Sequence, residues 1–580
     1  MSSGKIWRRP PVLLAFCLIS VGGVVTLLGH LATGSAVPPK KVELSSDIGA
    51  KAYPAFAPDG RRLAYSARAT SSKDETFHVF VRDVTVGAAQ QLTTGPANDI
   101  GPVWSPDGKQ LAFVRVNEGQ GECVVIADSG GGEERKFPGC TAPGDQSQPF
   151  PAVSWMRDGQ SLVVVQATEQ QPAALAILSL ADGKFKPLSH PPAGMEDSTP
   201  AVSPDGNTVA FVRSKGTDNA NIFVSDSAGA SPAHAVTFDG RAIRGIAWTR
   251  DGQDLVYTGQ RVGGWRLWRV PAYGGSPRDL IIAGRDANYV AVAPLGNRLV
   301  YTVSPTVSSI WRAQLGTSDP VQEHALIRSA GHENGPRYSP DGKTIADVSD
   351  QSGNDEIWLC DAEGGNRVQV TSFKGPDLAR IRWSPDGKSL IFDASADDGN
   401  DLYVVPAAAG AKPVRVQLGA LNGSWSRDGK SIYFQARDHI WKSAANGGEP
   451  EQISKTDGAA QPVESVDGKY IYFRHRRGFW RVPIGGGDEE QAIIPEHDLM
   501  WSTTLQPTRQ GMYYFEYERS AGEPVVSFFD FADKKSSVIF HVKRGGGRDA
   551  TYSISPDGKF ILYARVDQSQ TNLEVVENFR

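Results

Sequence analysis

A four-residue motif ending in Pro-Asp-Gly recurs along most of the chain and is the feature that most constrains its fold. Its strongest copies lie at residues 57–60, 105–108, 203–206, 339–342, 384–387 and 555–558. Weaker copies keep the Asp-Gly pair or a remnant of it, near residues 158, 251, 295, 428, 467 and 510. The twelve copies are spaced by about 45 residues, which is the length of one four-stranded propeller blade.

The motif is a turn between two strands. Pro presets φ, Asp caps its own backbone, and Gly accepts a positive φ, as in the copy at 339–342. Alternating apolar segments follow each copy, and the 62 Gly and 38 Pro of the chain suit many short strands. A single blade cannot bury both of its faces, so the blades must stack radially. We therefore predict an all-β protein of twelve four-stranded blades.

Twelve blades exceed the roughly four to eight that one ring usually holds. We predict two six-bladed propellers, with seven plus five blades as the alternative. The predicted division is an N-terminal membrane segment at 1–40, a first propeller at 41–330 and a second at 331–580. Residues 41–45 precede the first copy where a fourth strand belongs, and the last copy ends at its third strand, 573–578. We expect the former to complete the C-terminal blade and so to link the propellers twice.

The N-terminus has the pattern of an export signal. Lys5, Arg8 and Arg9 precede an apolar run from Val12 to Leu28. The run predicts either an uncleaved anchor or a signal cleaved after the small residues at 34–36. Both place the remainder outside the cytoplasm, because basic residues stay on the cytoplasmic side. We expect the periplasmic side of the inner membrane, N-terminally anchored, or a secreted or periplasmic protein after cleavage.

Composition and motifs exclude several classes of function. The 60 Lys and Arg against 65 Asp and Glu give a formal net charge of −5, so nucleic acid is not an expected partner. Neither a Gly-x-Ser-x-Gly elbow nor a His-Glu-x-x-His motif occurs. The acidic stretches 350–355 and 397–401 fall where hairpin turns are needed, and we interpret them as turns rather than metal sites. We predict no cofactor and no metal.

The Ser-Pro-Asp-Gly-Lys repeats resemble the TolB-type, WD40-like propeller repeats over about residues 41–580. From Leu326 onward, segments such as 480–483, 528–531 and the terminus 573–580 resemble the exported propeller region of acidobacterial-type membrane sensor proteins. The winged-helix or kinase module of those sensors has no counterpart in the eleven residues before Val12. The resemblance thus implies the propeller fold alone, without transcriptional or kinase activity.

Candidate binding residues are polar positions at the start of each blade's inner strand, which the repeat does not dictate. In the second propeller the chosen residues are Asn334, Arg380, Asn422, Gln461 and Asp549; comparable positions are Asp99, Asp197, Arg244 and Asn288 in the first propeller and Glu333 in the second. We expect them to ring the mouths of the axial channels, with Arg380 gripping a carboxylate. Recurring tryptophans, Trp104, Trp155, Trp248, Trp383 and Trp425, are expected to fill the wedge between blades.

Two classes of function remain. The first is a membrane-tethered, non-enzymatic interaction module for an envelope protein, a peptide or a glycan. The second is a propeller hydrolase or lyase acting on a polysaccharide or peptide at an axial channel, which would need paired carboxylates. In addition, Cys123 and Cys140 flank the turn at 130–132, and export to an oxidising compartment predicts a disulfide between them.

Overall fold

The structure is a computed structural model. It describes residues 38–44, 49–68, 76–85, 87–117, 121–139, 152–168, 171–216, 219–261, 264–304, 306–316, 323–329, 331–373, 377–396, 399–475, 478–493, 498–499, 505–518, 523–542, 551–569 and 571–580. The described residues form twelve antiparallel sheets, eleven of four strands and one of five. The all-β prediction of twelve blades is confirmed. The N-terminal segment and Cys140 lie outside these residues, and within them no helix has the length and apolar character needed to span a membrane.

The first propeller takes five of its blades from consecutive strands that follow β1, Lys40–Leu44. These strands are Lys51–Phe56, Arg62–Ala67, His78–Asp83 and Gln90–Gln91 (β2 to β5); Asn98–Trp104, Gln110–Asn117, Gly121–Asp128 and Glu134–Pro138 (β6 to β9); Val153–Trp155, Ser161–Thr168, Gln171–Ser179 and Phe185–Pro187 (β10 to β13); Glu196–Val202, Thr208–Ser214, Ala220–Asp226 and His234–Ala235 (β14 to β17); Ile243–Trp248, Asp254–Arg261, Gly264–Pro271 and Arg278–Asp279 (β18 to β21).

A short 3₁₀ helix, Ile281–Ala283, leads into β22 and β23, Ala287–Val292 and Arg298–Val303. The chain then enters the second propeller with β24 and β25, Thr306–Gln314 and Glu323–Ile327. The strands that follow are Glu333–Tyr338, Thr344–Ser349, Glu356–Asp361 and Val368–Gln369 (β26 to β29); Asp377–Trp383, Ser389–Ala396, Gly399–Pro406 and Val414–Gln417 (β30 to β33); Leu421–Trp425, Ser431–Ala436, His439–Ala444 and Glu451–Gln452 (β34 to β37); Ala460–Glu464, Tyr470–His475, Gly478–Pro483 and Glu490–Ile493 (β38 to β41); Asp498–Leu499, Gln506–Pro507, Gly511–Glu518, Glu523–Asp530 and Lys535–His541 (β42 to β46); Tyr552–Ile554, Phe560–Ser569 and Asn572–Glu577 (β47 to β49).

Both rings close through composite blades. In the first propeller the order is β22, β23, β49, β1, so the two ends of the chain supply the outer strands of the sixth blade. In the second propeller the order is β47, β48, β24, β25. Hydrogen bonds between Gln506 and Ile554 at 2.9 and 3.0 Å join β43 to β47 and complete that ring. The chain therefore passes between the propellers twice, at Val303–Thr306 and at Ser569–Asn572.

This pairing both confirms and corrects the expected closure. Residue Lys41 pairs with Val576 and Leu44 with Leu573, as expected for a closing strand. The expectation that this strand belongs to the second propeller is wrong, because β49 continues β23 in the first. The pairing also differs from a single division at residue 330: residues 306–327 lie in a sheet with 552–569, and 572–577 lie with 287–303. Apolar side chains of Leu44, Val300 and Leu573 share one buried cluster.

An ion-pair cluster joins the two propellers beside the crossings. Arg285, just before β22, donates to Asp355 at 2.6 Å and to Asp377 at 2.8 Å, and its guanidinium lies 4.0 Å from Asp350. The backbone N–H of His332 donates to Asp350 at 2.7 Å. The acidic stretch 350–355, interpreted from the sequence as a turn, thus also holds the first propeller against the second.

Candidate functional site

The Asp of the repeated motif is hydrogen-bonded within its own turn. In the copy at 384–387, Ser384 Oγ donates to Asp386 at 2.6 Å and accepts the backbone N–H of Ser389 at 2.9 Å. The N–H of Lys388 donates to the same Asp386 carboxylate at 3.1 Å. These hydrogen bonds hold the pKa of Asp386 below its usual value. The same pattern recurs at Asp107, Asp205, Asp341, Asp428, Asp467 and Asp557. These carboxylates act in the turns rather than in a binding ring.

The recurring tryptophans link each blade to the one before it. Trp248 Nε1 donates to the carbonyl of Ala201 at 2.9 Å, and Trp383 Nε1 donates to the backbone carbonyl of Arg337 at 3.1 Å. The equivalent bonds of Trp104, Trp155 and Trp425 go to Ala55, Val103 and Arg382. Each acceptor lies on the inner strand of the preceding blade, so the ring fills the wedge and its N–H satisfies an inner-edge carbonyl.

Inner strands carry a β-bulge whose central residue has a positive φ in eight described blades. Glycine holds this place at Gly101 and Gly335, but the others are Tyr53, Thr199, Tyr289, Arg380, Asn422 and Gln461, with φ between 42° and 58°. Pairing registers shift across the bulges, as between Ala379 and Arg382. Asn tolerates this conformation, whereas a β-branched or bulky residue is strained in it. Such strain persists where the surroundings impose it and is common at functional sites.

Three of the predicted site residues occupy these bulges in neighbouring blades. Arg380 keeps 38% of its side chain exposed and donates to Asp393 at 3.1 Å. Asp393 also accepts the N–H of Asn422 at 2.9 Å, and Asn422 Nδ2 donates to Gln435 at 2.8 Å. Gln461 is buried on the next blade. Arg380 is thus the side chain of this group that the solvent reaches most readily.

Asn334 precedes its bulge residue by one position and has a structural partner. Its Oδ1 accepts the hydroxyl of Thr551 at 3.1 Å and the N–H of Gly335 at 2.7 Å, which ties β26 to the segment before β47. The fifth predicted residue, Asp549, lies outside the described residues. Its place in the group stays a prediction.

Two arginines that sequence reasoning missed extend the group along the axis. Arg337 donates to the carbonyls of Ile381 at 3.2 Å, Pro336 at 2.9 Å and Tyr552. Burial and the neighbouring Arg382 lower the pKa of Arg337 to about 9. Burial likewise lowers the pKa of Arg382, with Arg380 adding to the effect and Asp393 opposing it. The sequence could have identified both arginines, because each stands two positions before the Ser of a strong copy of the repeat.

The second propeller therefore has a cationic axis. Arg337, Arg380 and Arg382 lie together, and Asp393 opposes the charges of Arg380 and Arg382. Burial raises the pKa of Asp393, with Arg380 acting against that shift. Three guanidinium groups close together favour an incoming anion, and arginine matches a carboxylate through two parallel hydrogen bonds. We call this group the arginine cluster.

The carboxylates predicted to ring the channel mouths are instead buried in ion pairs. Asp99 and Asp197 accept bidentate hydrogen bonds from Arg115 and Arg213 of the adjacent strand, all within 2.9 Å. Glu333 is fully buried and accepts a hydrogen bond from the Arg367 guanidinium at 2.5 Å. The sequence expectation is wrong for these three: Asp99 and Asp197 reach the arginine directly opposite on the next strand, and Glu333 reaches an arginine beside the outer strand of its own blade.

Comparison with known proteins gives a family. A model described as the TolB beta propeller domain matches residues 31–191 and 298–521. The chain is 29% identical over 195 residues to the uncharacterized peptidase YuxL of Bacillus subtilis strain 168, covering 27% of this chain and 28% of that protein. It is 33% identical over 108 residues to the Tol-Pal system protein TolB of Hahella chejuensis strain KCTC 2396, covering 18% and 25%.

The chain spans about a quarter of the length of these two relatives. Among solved structures, a putative TolB from Agrobacterium tumefaciens is similar with a TM-score of 0.37 and 21% identity, over 45% of this chain and 99% of that one. The resemblance to membrane sensors of the acidobacterial type stays a prediction. Since the family model matches more than half of the chain, the protein belongs to the TolB beta propeller domain family.

Proposed function

We propose that this chain is a non-enzymatic binding protein of the cell envelope that takes an acidic group of a peptide or glycan at the axis of its second propeller. The observation that carries the proposal is the arginine cluster. Arg380 is held at a positive φ of 54°, a conformation that costs an arginine free energy, and 38% of its side chain remains exposed. The basic residues and apolar run at the N-terminus support an extracytoplasmic location with tethering to the membrane.

The cluster favours an anion over a cation or a neutral sugar. Arg337 and Arg382 have lowered pKa values because burial penalises their charges, and an anion placed between them and Arg380 would relieve that penalty. Their guanidinium planes also suit the two oxygens of a carboxylate. Aspartate and glutamate side chains, peptide C-termini and uronic acids share this group.

Binding should be tested with a soluble form that begins at Lys41, titrated by calorimetry with acidic and neutral peptides and with acidic and neutral oligosaccharides. We expect the acidic members to bind and the neutral ones to fail. Arg380→Ala should weaken binding by about 1.5 to 3 kcal/mol, as for a charge-assisted hydrogen bond, and Tm is measured beside it because the buried Asp393 loses this arginine partner. Arg415→Ala is the matched control, because Arg415 lies on the outer strand of the same blade and is half exposed.

Two results would contradict the proposal. If Arg380→Ala bound the acidic ligands as tightly as the unaltered protein does, the site would lie away from this axis. The same would follow if the double variant with Arg380→Ala and Asp549→Ala kept full affinity. Release of a shortened product from any peptide or saccharide would favour the alternative, a propeller hydrolase or lyase. Turnover is measured on the same samples by chromatography.

A further inference from the structure

The axis of the first propeller holds a cavity that differs in chemistry from the arginine cluster. It has a volume of about 560 Å³ and is walled by the inner strands β2, β6, β10, β14, β18 and β22. Cavities of roughly 300 to 1,000 Å³ are the usual size for small-molecule sites. Its described lining is mostly Pro, Val, Ala, Ile and aromatic residues, and the charged side chains in that lining are Arg157 and Arg250.

The backbone edges of this wall have few hydrogen-bonding groups left to offer. An exposed inner strand normally presents N–H and C=O groups to which an extended peptide can add. Here proline removes the N–H just after the bulge in three blades, and tryptophan Nε1 atoms of the next blades occupy the following carbonyls. The prolines are Pro54, Pro102 and Pro200, and the carbonyls are those of Ala55, Val103 and Ala201. The wall suits an apolar chain better than a peptide.

The cavity runs from the bulges to the repeat turns. Tyr53 and Tyr289 form its inner end, with ring centroids 4.3 Å apart and hydroxyl oxygens 3.4 Å apart. Its outer end is formed by turn residues such as Pro58. Tyr53 and Pro58 are five positions apart along the chain, a separation of at most roughly 16 Å. An unbranched chain of about a dozen carbons has a similar length when extended.

The charged residues of the described lining lie at the outer end. Arg157 and Arg250 are the second residues of their turns, and both are exposed. The Arg157 guanidinium donates to the carbonyl of Pro204, which holds it at the rim. No acidic side chain belongs to the described lining. The neighbouring turn carboxylates Asp158 and Asp251 accept hydrogen bonds within their own turns, from the N–H of Gln160 at 2.8 Å and from Thr249 Oγ1 at 2.6 Å, so an anionic group at the rim would meet two guanidinium groups.

We propose that this cavity binds an unbranched amphipathic acid, with its acyl chain in the apolar shaft and its carboxylate at Arg157 and Arg250. The site lies in the other propeller from the arginine cluster and does not depend on the function proposed there. The three tryptophans of the lining, Trp104, Trp155 and Trp248, lie beside the acyl chain and report its presence.

The test uses the soluble protein from Lys41 with dodecanoate, dodecanol, butanoate and dodecanoate brominated at its last carbon. We expect one dodecanoate per chain by calorimetry, several-fold weaker binding of dodecanol and no measurable binding of butanoate. The brominated acid should quench tryptophan fluorescence, and excess dodecanoate should reverse the quenching. Trp248→Phe should reduce the quenched amplitude, whereas Trp441→Phe in the second propeller should not.

Charge is tested with a pair of matched variants. Arg250→Ala should weaken dodecanoate binding about three- to tenfold and leave dodecanol binding unchanged. Arg427→Ala alters the same turn position in the second propeller and should change neither. The proposal would be overturned if dodecanoate failed to bind, or if Arg250→Ala and Arg427→Ala changed its binding equally. It would also be overturned if Trp248→Phe left the quenched amplitude unchanged. Displacement of dodecanoate by lower concentrations of an apolar peptide would assign the cavity to peptides instead.

Discussion

Lys41 and Glu574 form an ion pair across the two strands that close the first propeller, with Nζ 3.1 Å from Oε2. Lys41 is 46% exposed, so the pair itself adds little stability. The pair marks the place where β1 and β49 meet. Beneath it, Leu573 is fully buried against the apolar core of the first propeller.

The closing strand predicts an uneven loss of stability. Leu573→Ala should lower the free energy of unfolding of the first propeller by about 2 to 5 kcal/mol, the cost of a cavity in a core. Lys41→Ala is the control and should cost less than about 1 kcal/mol. Hydrogen exchange followed by mass spectrometry assigns the loss to each propeller. Faster exchange confined to 331–560 in the Leu573 variant would contradict the sheet assignment.

The tryptophan bridges predict a second stability effect. Trp248→Phe keeps most of the ring but removes the Nε1 bond to Ala201, leaving an inner-edge carbonyl without that donor. We expect a loss of about 1 to 3 kcal/mol, since an unsatisfied buried acceptor is costly. Urea denaturation measures it. An unchanged midpoint would mean that the ring alone joins these blades.

The interface between the propellers predicts a pH dependence. Burial, with repulsion from Asp355, raises the pKa of Asp377 from its usual 3.8 to about 6, against the attraction of Arg285. Between those values the folded protein holds the proton more tightly than the unfolded chain does, so stability falls as pH rises through this window. We therefore expect lower stability at pH 7 than at pH 5 from this group.

Asp377→Asn should reduce the difference in free energy of unfolding between pH 5 and pH 7. Asp341→Asn is the control: the pKa of this turn carboxyl is lowered, so its contribution is lost only as pH falls below its usual 3.8. Urea titrations at both pH values decide the matter. The same pH response in the Asp377 variant and the unaltered protein would exclude this carboxyl as its source.

A disulfide between Cys123 and Cys140 stays a prediction, because Cys140 lies outside the described residues. Cys123 is half buried, and burial raises the pKa of its thiol. Alkylation of the denatured, unreduced protein followed by peptide mass spectrometry should leave both unmodified. Cys360, a free and buried cysteine, should be alkylated under these conditions. Alkylation of Cys123 as well would show that the bridge is absent.

The sequence predicted the blades well because each depends on local chemistry. A turn such as 384–387 carries its own hydrogen bonds, and the strands beside it alternate in the usual way. It did not predict which propeller receives residues 306–314 and 572–577. Both segments alternate like any third strand, and their partners are chosen by packing between residues far apart in the chain. Periodicity contains no information on that choice.

The candidate site was predicted in part, because the repeat identifies a residue's position but not the partners that packing brings to it. Repeat position identified Arg380, Asn422 and Gln461, which share the inner bulge. It did not distinguish an exposed polar group from one claimed by a neighbour, so Asp99 and Asp197 were placed at the channel when each pairs with an arginine sixteen residues later. That distinction depends on the side chain across the strand pair. Arg337 and Arg382 escaped notice because they adjoin the turn.

The double passage of the chain between the propellers also sets an order of assembly. When residues leave the ribosome from the N-terminus, the first propeller has most of its strands early but lacks β49 until after every strand of the second propeller has emerged. The unit that is synthesised first is therefore finished last. Until then β22 and β23 are paired in its sixth blade while β1 lacks its partner β49, and an open ring with unpaired edges is exposed to mispairing and proteolysis. Loss of β49 would thus damage the half of the protein already made.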